Sequence, residues 1–180
     1  DLIGGGFARY STDNDWLVPH FEKMLYDNAL LGRAYLHAYL LNGEATFRQV
    51  FETTLDFMLR ELLAAPDDEG LSGAFYSSLD ADSEGEEGKF YLWTENEVHQ
   101  ALESQPVEAE LILAAYGFSP GGNFEGRTIP RRTISDSELA ERFGLDVAAI
   151  PARLAELNRR LLAFRSQRIR PGMDDKVLTA

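Results

Sequence analysis

The sequence has no cysteine, no long apolar run and few positive charges, and each absence removes a class of protein. With cysteine absent, no disulfide framework and no thiol chemistry is open to this segment, which fits a reducing, cytoplasmic setting. No apolar stretch approaches the ~20 residues that a membrane-spanning helix requires, and no charged-then-apolar leader opens the chain. Seventeen basic residues stand against thirty acidic ones, a formal charge of −13. That field repels phosphate backbones and anionic lipid, so neither nucleic acid nor a membrane is expected as a partner. P-loop, His-Glu-x-x-His and Gly-x-Ser-x-Gly patterns are missing. Gly4-Gly5-Gly6 does not extend to a dinucleotide fingerprint, because Arg9 stands where its last glycine belongs. No cofactor is expected.

What remains is 180 residues, 44% of them hydrophobic, enough for one domain with a core. Residues 1–20 read as an ordered loop. Phe21–Leu41 is good helix material, with Leu25, Ala29, Gly32, Leu36 and Leu40 on one face. Tyr26, Leu30, Ala34, His37 and Leu41 lie on the next face, so this helix is expected to pack on more than one side. Asn42-Gly43 ends it. Thr46 and Gln49 match a capping box, followed by Phe47, Val50, Phe51, Leu55, Met58 and Leu62 at helical spacing. The two helices should form an antiparallel hairpin. After the break at Pro66–Gly70, aromatic runs at 74–76 and 90–93 flank the acidic loop Asp80–Gly88. They predict a small β-hairpin over 74–93. Capping boxes at Thr94/Glu97 and Ser135/Glu138, a Pro106 start, a Gly144 stop and a periodic run from Pro151 to Arg165 predict four further helices, with a Gly/Pro/Arg loop at 119–132.

The chain starts at Asp1 without an initiator Met and stops in the apolar Val177–Ala180 with no helix stop signal. The expectation is a piece of a longer protein whose last helix is incomplete. Alone, such a piece should expose the Phe47–Leu62 or Leu154–Phe164 stripe and self-associate.

The densest chemistry is Arg9-Tyr10 with His20-Phe21-Glu22-Lys23-Met24-Leu25-Tyr26-Asp27. A histidine beside a carboxylate and a lysine can exchange protons near neutral pH; the plainer account makes His20 a packed loop residue and Glu22 part of an acidic first turn. Asp80-Ala81-Asp82-Ser83-Glu84-Gly85 starts like a calcium loop, but Tyr91 occupies the position of its bidentate glutamate, so no metal site is assigned. Its carboxylates either line a solvated hairpin or aim into a pocket. Loop aromatics, among them Tyr10, Trp16, Tyr91 and Trp93, suit packing on helix ends or stacking on sugar rings. Asp174, Asp175 and Lys176 follow the basic Arg168-Ile169-Arg170, where charge compensation at a helix start is the plain account.

Together these segments resemble one family. Gly4-Gly5-Gly6-Phe7, Arg9-Tyr10-Ser11 and Trp16 through Asp27 look like the signature of the spermatogenesis-associated protein 20 family. Asp80–Gly85, Gly122-Asn123-Phe124-Glu125-Gly126 and Arg168 to Lys176 agree in order. Ala8 departs from the histidine often found there. The resemblance implies a mainly α fold, the early part of a six-hairpin (α/α)6 barrel. A thioredoxin-like domain would lie elsewhere in the parent chain. By analogy with sugar-acting barrels, the expected ligand is a small molecule of sugar type. His20, Glu22, Asp80 and Asp82 would be the catalytic groups, acting in epimerase, isomerase or hydrolase chemistry. Arg9, Tyr10, Trp16, Lys23, Tyr26, Trp93, Asn123, Arg168, Asp174, Asp175 and Lys176 would bind the substrate. The alternative is a non-catalytic binding or scaffolding module serving the thioredoxin-like domain. A barrel predicts that His20, Glu22 and the Asp80–Asp82 loop share one pocket.

Overall fold

Gly43 and Glu44 are the whole connection between two long helices, α1 (Leu25–Asn42) and α2 (Ala45–Glu61). Gly43 adopts the left-handed conformation and donates its N–H to Tyr39 O at 2.8 Å, closing α1. So short a link forces the helices back on each other: Tyr35 meets Phe47, ring centroids 5.9 Å apart, and further along Gly32 lies against Thr54. The computed structural model describes residues 1–64, 73–103 and 105–177, and these fall into two compact units. One holds Asp1, Ile3–Lys89 and the residues from Arg170; the other holds Leu2 and Phe90–Ile169.

In the first unit, one three-stranded and two two-stranded ladders accompany the helical hairpin. Strands β1 (Tyr10–Ser11) and β2 (Pro19–His20) pair antiparallel. Strand β3 (Lys23–Met24) pairs with β4 (Tyr76–Leu79), which pairs in turn with β7 (Met173–Val177), all antiparallel. Strands β5 (Asp82–Ser83) and β6 (Glu86–Glu87) form a tight hairpin. The core gathers Phe57, Met58, Leu62 and Leu79, with Leu25, Leu55 and Phe75 packed around them. Each such side chain contributes about 1.5–3 kcal/mol by leaving water.

The second unit is helical: α3 (Glu95–Ala101), α4 (Pro106–Ala115), α5 (Asp136–Phe143) and, after a short 3-10 turn, α6 (Ile150–Arg165). Both capping boxes form, Thr94 with Glu97 and Ser135 with Glu138. Val98, Leu102, Ile112, Leu139, Ile150 and Leu161 are fully buried. Among the described residues there are six α-helices and a few small sheets, so the chain is mainly α, and no helix is long and apolar enough to cross a membrane.

Several local expectations give way. Phe21–Met24 is extended rather than helical, because Lys23 and Met24 pair with Leu79 and Ser78. The capping box at Thr46 and Gln49 does not form. The two-residue link starts the helix at Ala45, and Glu44 donates its N–H to the Asn42 side chain instead. Residues 74–93 are not one hairpin: Tyr76–Leu79 pairs outward with β3 and β7, Trp93 bridges Thr128, and only 82–87 folds back on itself. The segment before Val177 is a strand, not a helix start, because Met173 and Asp174 find partners in Leu79 and Ser78; residues 178–180, like Pro66–Gly70, lie outside the described residues. The apolar stripes of α2 and α6 are covered at Phe57, Met58, Leu62, Leu154, Leu157 and Leu161. On α1, Leu30, Leu40 and Leu41 are left in water, as Leu59 is on α2, so α1 is packed chiefly on one side.

Candidate functional site

The three-stranded sheet does more than close the first unit. Because Lys23 pairs with Leu79 and Leu79 with Met173, the residues just before β3, just after β4 and just before β7 leave the sheet at the same end. Those residues are Glu22, Asp80 and Gly172, and Asp80 N–H donates to Gly172 O at 2.8 Å. Segments far apart in sequence are thereby brought to one edge.

His20 lies at this edge, between two carboxylates. Its Nδ1 is 2.8 Å from Glu87 Oε1 and its Nε2 is 3.6 Å from Glu22 Oε2. Tyr10, opposite His20 in the β1–β2 ladder, stacks on the imidazole with centroids 4.9 Å apart. Arg9 closes the group from the far side of Glu22, donating Nη1–H to Oε2 at 3.0 Å. That hydrogen bond, with smaller contributions from Tyr26 and Asp27, holds the Arg9 guanidinium above its ordinary value. Asp27 sits in the first turn of α1, where the helix end favours an anion. Its Oδ2 is buried without a hydrogen-bond partner among the described residues.

The 82–87 hairpin carries Glu87 to His20. Its turn is Glu84-Gly85, both at positive φ (55° and 77°), the geometry a two-residue hairpin turn demands. This explains the glycine that made the segment look like a calcium loop. Gly88 then brings the hairpin down onto Phe21: a Cβ there would stand 2.4 Å from the Phe21 ring, and its φ is +75°. Asp82 is exposed and pairs with Glu87 across the hairpin, while Asp80 binds its own neighbour through Ala81 N–H to Oδ1, 2.7 Å. No group of three His, Cys, Asp or Glu side chains among the described residues is arranged to hold a metal ion.

Of the other expected ligand groups, some are held by partners within the fold and the rest are exposed. Lys23 is 3% exposed; its ammonium donates to Asp1 Oδ2 and Gly5 O, both at 2.9 Å, and lies over Phe57. Asp174 binds Lys176 through both its side chain and its backbone N–H, which holds the Asp174 carboxyl below its usual range. Asp175 and Lys176 are exposed on β7, Tyr26 is partly exposed on α1, and Trp16 stands 85% exposed with φ 55° at the tip between β1 and β2. In the second unit, Arg168 donates to Phe90 O, Leu92 O and Glu97 while stacking over Trp93, and burial pulls its guanidinium below the ordinary value. Asn123 exchanges two hydrogen bonds with the Ile129 backbone. Arg168 and Asn123 thus act as staples between backbone segments.

Two residues of the first unit escape a reading of the sequence. Glu87 lies in the acidic run that reads as a solvated loop; the Gly88 that follows it is the clue to close approach. Asn28 is fully buried, its amide clamping Phe7 N and O and Met24 O. An amide on the otherwise apolar face of α1 was the available signal.

The chain is thus a mainly helical protein segment with a histidine–carboxylate group at the edge of a small mixed-sequence sheet. No family model matches it. Over its whole length it is similar to spermatogenesis-associated protein 20 of Homo sapiens, 37% identical and covering 25% of that protein, and of Rattus norvegicus, 38% identical with the same coverage. A Caenorhabditis elegans protein is 28% identical, again along the entire chain. At 36–38% identity along its whole length the chain is similar to the spermatogenesis-associated protein 20 family, and it spans about a quarter of the length of the curated relatives it matches.

Proposed function

We propose that this chain supplies part of a site that binds and turns over a small, sugar-like molecule, with His20 as the group that takes and returns the proton. The observation that carries the reading is the placement of His20 between Glu87 and Glu22, its side chain 26% exposed and stacked on Tyr10. An imidazole so held can remove a proton next to a carbonyl, and Arg9 beside Glu22 can meet the developing negative charge. The same geometry argues against cleavage of a glycosidic bond between Glu22 and Glu87. A hydrolase needs its two carboxyl groups on either side of the scissile bond, and here the imidazole fills that gap. Asp80 and Asp82 serve in this reading as polar wall, with Tyr10 and Trp16 as surfaces for a sugar ring.

The α1–α2 hairpin supports placing the chain in the early part of an α/α barrel, working beside a thioredoxin-like domain of the same parent chain. The exposed Leu30, Leu40 and Leu41 on α1 favour a second reading, a scaffolding module whose helix face is covered in the parent protein. Thermal melting of the intact protein with a panel of mono- and disaccharides separates the two. A ligand at about 100 times its Kd stabilises by roughly 2.7 kcal/mol, and the shift should vanish in His20→Ala. If no sugar moves the melting temperature, the catalytic reading fails.

A further inference from the structure

We propose that Glu87 is the positioning residue of the site, fixing His20 as the Nδ1–H tautomer so that Nε2 is the atom that exchanges protons with a ligand. Two carboxylates compete for the imidazole, and distance decides between them. Glu87 Oε1 is 2.8 Å from Nδ1, within hydrogen-bond range, whereas Glu22 Oε2 is 3.6 Å from Nε2 and already accepts from Arg9 at 3.0 Å. An ionised carboxylate only accepts, so the nitrogen facing Glu87 carries the hydrogen. The tautomer of a histidine is set by the partner of its other nitrogen.

Glu87 is itself held. Its Oε1 also takes the Phe21 N–H at 3.4 Å, its strand is paired to Asp82, and Gly88 seats the hairpin against the Phe21 ring. Tyr10 restricts the ring from one face. Nε2 faces Glu22 at 3.6 Å, beyond hydrogen-bond range, and is the ring nitrogen left to meet a substrate hydroxyl or the carbon next to a carbonyl. The use of Nε2 in chemistry rests on the sugar-site reading above; the tautomer does not.

The test is long-range nitrogen–proton NMR of the imidazoles in the full 180-residue chain, with the His20 signals identified by their loss in His20→Gln. In neutral His20 the expected pattern is a protonated Nδ1 and a bare Nε2. Glu87→Gln keeps that pattern, because Phe21 N–H orients the amide oxygen toward Nδ1. Glu87→Ala shifts His20 toward Nε2–H, the form that free imidazole favours. A wild-type chain showing Nε2–H overturns the proposal, and so does a folded Glu87→Ala variant with unchanged His20 signals. If Glu87→Ala does not fold, the wild-type and Glu87→Gln spectra still decide. An Nδ1–H tautomer in a protein whose melting no sugar alters would sink the sugar reading and leave Glu87 in its role.

Discussion

The two units spend the same residue types differently. In the second unit, arginine, asparagine and glutamate are consumed by backbone: Arg168 holds two carbonyls and Glu97, Asn123 holds Ile129, Glu97 and Glu138 close their helix ends. In the first unit, His20 and Glu87 hold each other with their side chains part-exposed at a sheet edge, and Arg9 is likewise paired to Glu22. What separates the two is therefore not residue type or motif but the partner: backbone of loops and helix ends in the second unit, other part-exposed side chains in the first. A staple that is lost costs stability; a site residue that is lost costs chemistry.

The sharpest way to break this contrast is Gly122→Ala. A Cβ there would meet Arg127 O at 2.0 Å, and the loss should be about 3 kcal/mol or more, by denaturant unfolding. If the variant is as stable as the parent, the 122–129 turn is not a staple. Next comes Arg168→Ala, which frees two buried carbonyls and Glu97 at an expected cost of about 2–4 kcal/mol. Arg168→Lys should recover less than half, since an ammonium cannot reproduce the planar fork. Far smaller is the cost of His20→Ala, within about 0.5 kcal/mol because the side chain is partly exposed. A large drop in its melting temperature would make His20 one more staple.

The weakest effect is in acid. Arg153 holds the Glu108 carboxyl below its ordinary value of 4.5, and Ser135 does the same for Glu138. A depressed folded value gives stability that is full above the unfolded value and is lost as pH falls through the folded one. Melting followed by the fully buried Trp93 in a Trp16→Phe background should therefore decline below roughly pH 4.5. In Glu108→Gln/Glu138→Gln that decline should be shallower, and an unchanged acid limb would remove these pairs from the account.

The helices of the second unit were legible because their signals are local. Thr94, Ser135, Pro106 and Gly144 each act within one turn of chain, and each does what its chemistry predicts. Lys23-Met24 and Met173–Val177 were misread because short strands of that composition have no local signature; β4 makes them strands. That His20 has a carboxylate beside it was visible in the sequence, whereas Glu87 comes from a hairpin whose docking depends on Gly88 and Phe21, a contact no periodicity encodes. The barrel and the sugar ligand rest on family resemblance, since no local signal in the chain encodes either.

The β3–β4–β7 sheet also sets an order in time. Its central strand must wait for β7, roughly ninety residues later in the chain, which at ~5–20 residues per second reaches it some 5–20 s after β4 has been made. During that interval Ser78 and Leu79 offer an unpaired edge to whatever strand is near. The nascent chain is thus open to mispairing at this edge while the second unit is being synthesised.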